Sequence, residues 1–172
     1  MRIILPDVSR LDIIATVREA RFPGHDPARW AIPLIDAMQD HVCGWQLVEL
    51  DAMTVDALWL APHAGEPCHG DTMALGESWQ GCTVGDGVSW LTRHAARYAL
   101  ANPSCWQRIA AARAAQPSAI VLAPFSVGDR LKPDDAAWVV VDGLHRALAW
   151  GLEGRSVLQA FVPTGTSGSR TS

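Results

Sequence analysis

The stretch that most constrains the fold is Trp138-Val-Val-Val-Asp142-Gly143-Leu144-His145-Arg146, followed by Ala147-Leu-Ala-Trp150-Gly151. Trp138–Val141 is apolar throughout, as a strand covered on both faces must be. Asp142-Gly143 interrupts the run, and Leu144–Leu152 has helical character. A buried strand that passes into a helix through one glycine demands a layered α/β structure. Ala119–Ala123 and Val157–Val162 are two further apolar runs of strand length. The expected fold is therefore α/β, with a small mixed sheet surrounded by helices.

The same junction concentrates chemistry. Gly143 permits a tight turn and close approach of a ligand to the backbone. The first N–H groups of the following helix have no intrahelical acceptor and form an anion site, to which Gly143, Leu144, His145 and Arg146 contribute. His145 and Arg146 each add a charged donor. Asp142 ends the strand and is placed to act as a base or to hold a metal ion. The plainer reading makes Asp142 an N-cap and Arg146 a solvated surface residue. Positive charge in a first turn, however, opposes the helix dipole by a few tenths of a kcal/mol, so two such side chains call for a nearby anion.

Other elements follow from capping and spacing. Arg2–Leu5 reads as a strand, and Ser9 caps a helix carrying Leu11, Ile14 and Val17. A second helix is expected from Trp30 to Val42, with Pro33 in its first turn and Gly44 as its stop. Trp45–Leu50 alternates as a strand, and Thr54–Ala61 fits a short helix or a strand equally well. His63 to Gly81, rich in Gly, Pro, His and Asp, reads as a loop. Thr83 or Asp86 opens a helix with Val84, Val88, Leu91, Ala95 and Tyr98 on one face. Asn102-Pro103 opens another, with Trp106, Ile109 and Ala110 inward. Ser126–Asp135 is a connection. The expected organisation is an N-terminal helical extension over residues 1–44, a domain over 45–162 and a flexible tail over 163–172.

Charge and composition exclude several roles. The 172 residues are 49% hydrophobic and 19% charged, with net charge −4, a balance suited to a packed core rather than disorder. No apolar run approaches the roughly 20 residues of a membrane span, so no membrane partner is expected. The net negative charge argues against a duplex nucleic-acid binder, which needs surplus cations to displace counterions. Basic residues are thirteen Arg and one Lys, a bias that reflects high-GC bacterial coding. Cys43, Cys68, Cys82 and Cys105 include no C-x-x-C pair, and the start of the chain does not read as a signal peptide. Reduced thiols in a cytoplasmic protein are expected.

Strand–Asp142-Gly143-x-His145-Arg146-x-x-Ala149–helix–strand resembles the second signature box of the ParB/sulfiredoxin-like superfamily, D-G-x-H-R-x-x-A. The resemblance extends over Trp45 to Val162, with Leu47–Asp51 as the opening strand and Ala119–Ala123 as the strand before the box. It implies a phosphate pocket at Gly143, His145 and Arg146 that receives ATP or CTP with magnesium. Leu144 stands where sulfiredoxins carry their catalytic cysteine, which argues against sulfinic-acid repair. The helix-turn-helix domain of partition proteins is not found after the last strand. The expectation is then a soluble enzyme acting on a small-molecule substrate, by phosphoryl transfer or nucleotide hydrolysis. Two alternatives are a nucleotide-independent tailoring enzyme for a carboxylate metabolite and a non-catalytic sensing or partner-binding module. The catalytic candidates are Asp142, His145 and Arg146, with Asp142 also the metal ligand. Oligomeric state is left open.

Weaker groupings lie elsewhere. His63, Cys68, His69 and Asp71 are metal-capable residues, but their spacing fits no zinc pattern, and a covering loop that lends His69 or Asp71 to the site is the better functional reading. His94 and Arg97 are spaced to share a helix face, which reads first as a solvated one. The eight tryptophans are spread along the chain as core residues would be. Trp150, one turn after Arg146, is placed to wall the pocket, and Trp79 is the loop tryptophan best placed to meet a ligand.

Overall fold

A computed structural model describes residues 1–20, 26–61 and 81–166. Seven strands form one mixed sheet: β1 (Arg2–Leu5), β2 (Val42–Asp51), β3 (Trp59–Leu60), β4 (Cys82–Thr83), β5 (Ile120–Ala123), β6 (Val139–Asp142) and β7 (Val157–Thr166). Their order across the sheet is β1-β2-β7-β5-β6-β3-β4. The helices are α1 (Arg10–Glu19), α2 (Pro27–Trp30), α3 (Ile32–Met38), α4 (Ala52–Asp56), α5 (Val84–Ala101), α6 (Pro103–Ala114) and α7 (Leu144–Leu152). The fold is α/β, with helices around a mixed sheet.

Side chains alternate across a strand, so a strand buried on both faces feeds two cores. Ile120 and Leu122 of β5, Val140 of β6 and Leu158, Ala160 and Val162 of β7 join one core with Leu91, Ile109 and Leu148 of α5, α6 and α7. Val121 and Ala123, Val139 and Val141, and Phe161 join the other, with Ile13, Val17, Ile35 and Met38 of α1 and α3. This double burial is why the central strands read as unbroken apolar runs. The helices of residues 1–44 thus cover one face of the sheet and β1 forms its edge. The expected boundary after residue 44 falls inside β2, a single strand from Val42 to Asp51.

Several expectations need correction. The second helix ends at Met38 and passes through a 3₁₀ turn at Gln39–His41, so Val42 and Gly44 lie in β2 rather than at a helix end. Val42 is β-branched and suits a strand. Leu11 of α1 faces outward, 70% exposed, while Ile13 takes the inward position. Ala110 of α6 is exposed, and Cys105, Ile109 and Ala112 are buried. The ambiguous Thr54–Ala61 contains both the end of α4 and β3.

Residues 163–166, read from sequence as part of a flexible tail, belong to a strand. β7 continues beyond Val162 to Thr166, pairing antiparallel with Val42–Trp45. Pro163, read from sequence as the strand's end, sits opposite Trp45. The Trp45 carbonyl accepts from the Val8 N–H at 3.0 Å, on the side away from β7. The Trp45–Pro163 pair is therefore a non-hydrogen-bonded one, and the missing proline N–H would have pointed toward β5. β5 pairs with β7 only at Ala160 and Phe161. The ladder loses no bond there, so proline is tolerated in an interior strand.

Candidate functional site

β6 delivers Asp142 to the end of the sheet, and α7 starts one residue later. Gly143 makes the turn with φ +98°, in the left-handed region. A Cβ at this position would lie 2.5 Å from Ile120 Cγ2 and 3.0 Å from Arg146 Nε. Glycine is required here both by backbone conformation and by the two neighbours it admits.

Gly143 is the N-cap of α7, and no side chain caps the helix. Asp142 instead accepts a hydrogen bond and ion pair from Arg146 Nη2, across the turn. Arg146 Nη1 donates to Ser118 Oγ at 2.8 Å and to the Ala119 carbonyl at 2.7 Å. One guanidinium thus ties together the end of β6, the start of α7 and the approach to β5. It is a bridging residue, 9% exposed, and not the solvated one of the plainer reading. His145 is equally buried and brings Nε2 to 3.2 Å from Sγ of the fully buried Cys105.

A narrow cleft opens over this junction, with a cavity volume of about 40 Å³. Its floor is Val140–Arg146, its apolar wall includes Val17, Trp30 and Ala31, and Arg108 and Arg130 complete it. Arg108 and Arg130 are 7% and 8% exposed. Among the described residues, three arginines therefore share the lining with one acidic residue, Asp142. Asp129 approaches Arg130 from outside the cleft, Oδ1 to Nε at 3.8 Å. The N–H groups of Leu144, His145 and Arg146 have no acceptor within the helix and add to the same positive end.

Sequence reasoning brought Asp142, Gly143, Leu144, His145 and Arg146 to one place, and all five line the cleft. It missed Arg108 and Arg130. Arg108 had a readable signal, because it shares the helical stripe of Cys105, Ile109 and Ala112, where an arginine is out of place. Arg130 lies in the β5–β6 connection, where no periodicity marks it. His94 and Arg97 do not reach the cleft: His94 stacks on Trp90 with ring centroids 4.5 Å apart, and Arg97 is exposed. Trp150 walls a neighbouring cavity. His63, Cys68, His69, Asp71 and Trp79 lie outside the described residues. Among the described residues no cluster of three His, Cys, Asp or Glu side chains is placed to hold a metal ion. Asp142 is the one acidic residue among the described residues that line the cleft.

A family model matches residues 31–171: DUF6309, described as a family of unknown function. The chain belongs to the DUF6309 family. No curated protein and no solved structure matches it. The DUF6309 match takes in Arg108, Arg130 and the whole Asp142–Arg146 junction. Val17, Ala20 and Trp30, on the cleft's apolar side, precede it.

Proposed function

We propose that this cleft binds the phosphate of a small molecule, and that the protein is an enzyme of phosphoryl transfer or nucleotide hydrolysis acting on that ligand. One observation carries the reading: Arg108, Arg130 and Arg146, all at least nine-tenths buried, line a single cleft at an uncapped helix N-terminus. Three arginines lining one cleft give it a positive surface, and phosphate oxygens match the planar donors of guanidinium groups. Arg108, Arg130 and the first-turn amides of α7 grip the phosphate. Arg146, already committed to Asp142, Ser118 and Ala119, shapes the floor and contributes its charge. Asp142 gives Oδ2 to Arg146, and Oδ1 is the atom that would accept a proton from an attacking group. With magnesium present, that oxygen would be the protein's share of a shell otherwise filled by phosphate oxygens and water.

The resemblance of the Asp142–Arg146 box to ParB/sulfiredoxin-like proteins supports ATP and CTP as the first ligands to try. No helix among the described residues is long and apolar enough to cross a membrane, and the free thiols of Cys43, Cys82 and Cys105 suit the reducing cytoplasm. The test is a thermal-shift screen of ATP, CTP, simple phosphates and simple carboxylates with and without magnesium, followed by assay of product release. A ligand at 100 times its Kd adds about 2.7 kcal/mol of stability. A specific shift that Arg108→Gln abolishes supports the reading. A screen in which only carboxylates stabilise the protein contradicts it and favours the nucleotide-independent tailoring role.

A further inference from the structure

A second, larger cavity adjoins the first, with a volume of about 320 Å³. Arg146 and Ala20 line both. The second cavity runs from the C-terminal turns of α1 and α6 to the outer face of α7. Its walls are small or apolar: Ala112, Ala115, Pro117, Leu158 and the ring of Trp150, which is 4% exposed. Thr16, Glu19, Gln116, Ser118, Arg146 and Arg155 supply polar groups around these apolar surfaces. The cleft is rich in cations, and the cavity beside it is walled by apolar and aromatic groups. Arg146 stands between the two, its Nη1 held at 2.7 Å by the Ala119 carbonyl and its Nη2 by Asp142.

We infer that the second cavity receives the apolar body of the same ligand, so that the substrate class is a phosphate monoester of a ring-sized, largely apolar group. This rests on the phosphate reading of the first cleft. A ligand seated across Arg146 keeps its anion among the arginines and removes its body from water against Trp150, Ala112 and Leu158. Mostly apolar lining with a few polar groups is the usual make-up of a small-molecule site. A strongly hydrated body loses more on leaving water for the Trp150, Ala112 and Leu158 surfaces than an apolar one does.

The probes are inorganic phosphate and phenyl phosphate, titrated calorimetrically against the full chain. Burying a phenyl ring should make phenyl phosphate at least about tenfold tighter than inorganic phosphate. Ala115→Phe and Thr16→Phe enter the cavity from opposite walls, each at a position that is not buried. Either variant should erase the advantage of phenyl phosphate and leave inorganic phosphate affinity within about twofold. Equal affinity of the two probes for the unaltered protein overturns the inference and leaves the phosphate reading standing. A phenyl advantage that survives in every folded variant also overturns it, by placing the ring elsewhere. Failure to bind inorganic phosphate at all overturns the phosphate reading itself.

Discussion

Arg146 and Asp142, one helical turn apart, face each other across the glycine that joins β6 to α7, with both side chains about nine-tenths buried. The pair closes the junction like a clasp: the strand's last residue is held by the helix's first turn. Ser118 and Ala119 share the same guanidinium, so the entry to β5 is fixed by it too. A site built this way is organised before a ligand arrives, which reduces the ordering cost of binding.

Asp142→Asn keeps the shape and one acceptor for Arg146 but removes the charge. The buried guanidinium then loses its ionic partner, and stability should fall by about 1–3 kcal/mol. Urea unfolding checks this. Unchanged stability would show that Ser118 and Ala119 alone hold Arg146. If Asp142 also serves as base, turnover on any phosphate substrate should fall by roughly 10²-fold or more.

Gly143→Ala tests the turn. The added methyl meets Ile120 Cγ2 at 2.5 Å and forces a side chain onto φ +98°. Ile120 is a fully buried core residue that cannot step aside, so a loss of roughly 2–4 kcal/mol is expected. A denaturation midpoint equal to that of the unaltered protein would mean the junction relaxes freely.

Cys82 gives a pH dependence. Burial first, and then the nearby Asp86 charge, push its thiol pKa from 9.0 up to about 12 in the folded protein. The unfolded chain releases this proton near pH 9 and the folded one near 12, so the unfolded state binds fewer protons between those values. Stability from this group is fully present below pH 9 and declines as pH rises from about 9 to 12. Cys82→Ser, with an alcohol that does not titrate there, should flatten that limb of the stability profile. An identical decline in the variant would assign it to other groups. Alkylation under native conditions should also reach exposed Cys43 before half-buried Cys82 and buried Cys105.

The sequence and the structure agree where local rules act alone. Ser9 caps α1 as expected, and the structure adds a capping box with Asp12; Pro103 opens α6 as a first-turn proline should. The apolar runs at 119–123 and 138–141 gave their strands within a residue. Legibility fails where distant pairing decides. The β-branched Val42 is too slight a local mark to identify Val42–Gly44 as strand, because its partners are Thr164 and Thr166, far along the chain. Pro163 reads as a terminator until the register shows that no hydrogen bond is required of it. The junction at Asp142–Arg146 was visible because strand, turn and helix start are contiguous. The helical stripe marks Arg108 as inward-facing, but its meeting with Arg130 is not legible, because only the packing of α6 and of the β5–β6 connection brings the two to the same cleft.

The most direct measurement is calorimetric titration of inorganic phosphate into the full chain and into folded Arg108→Gln and Arg130→Gln variants. The account predicts saturable one-site binding by the unaltered protein, weakened by about tenfold or more in each variant, as loss of a charge-assisted hydrogen bond worth about 1.5–3 kcal/mol requires. Phosphate affinity that is the same in all three proteins would contradict it, because the arginines of the cleft would then hold no anion.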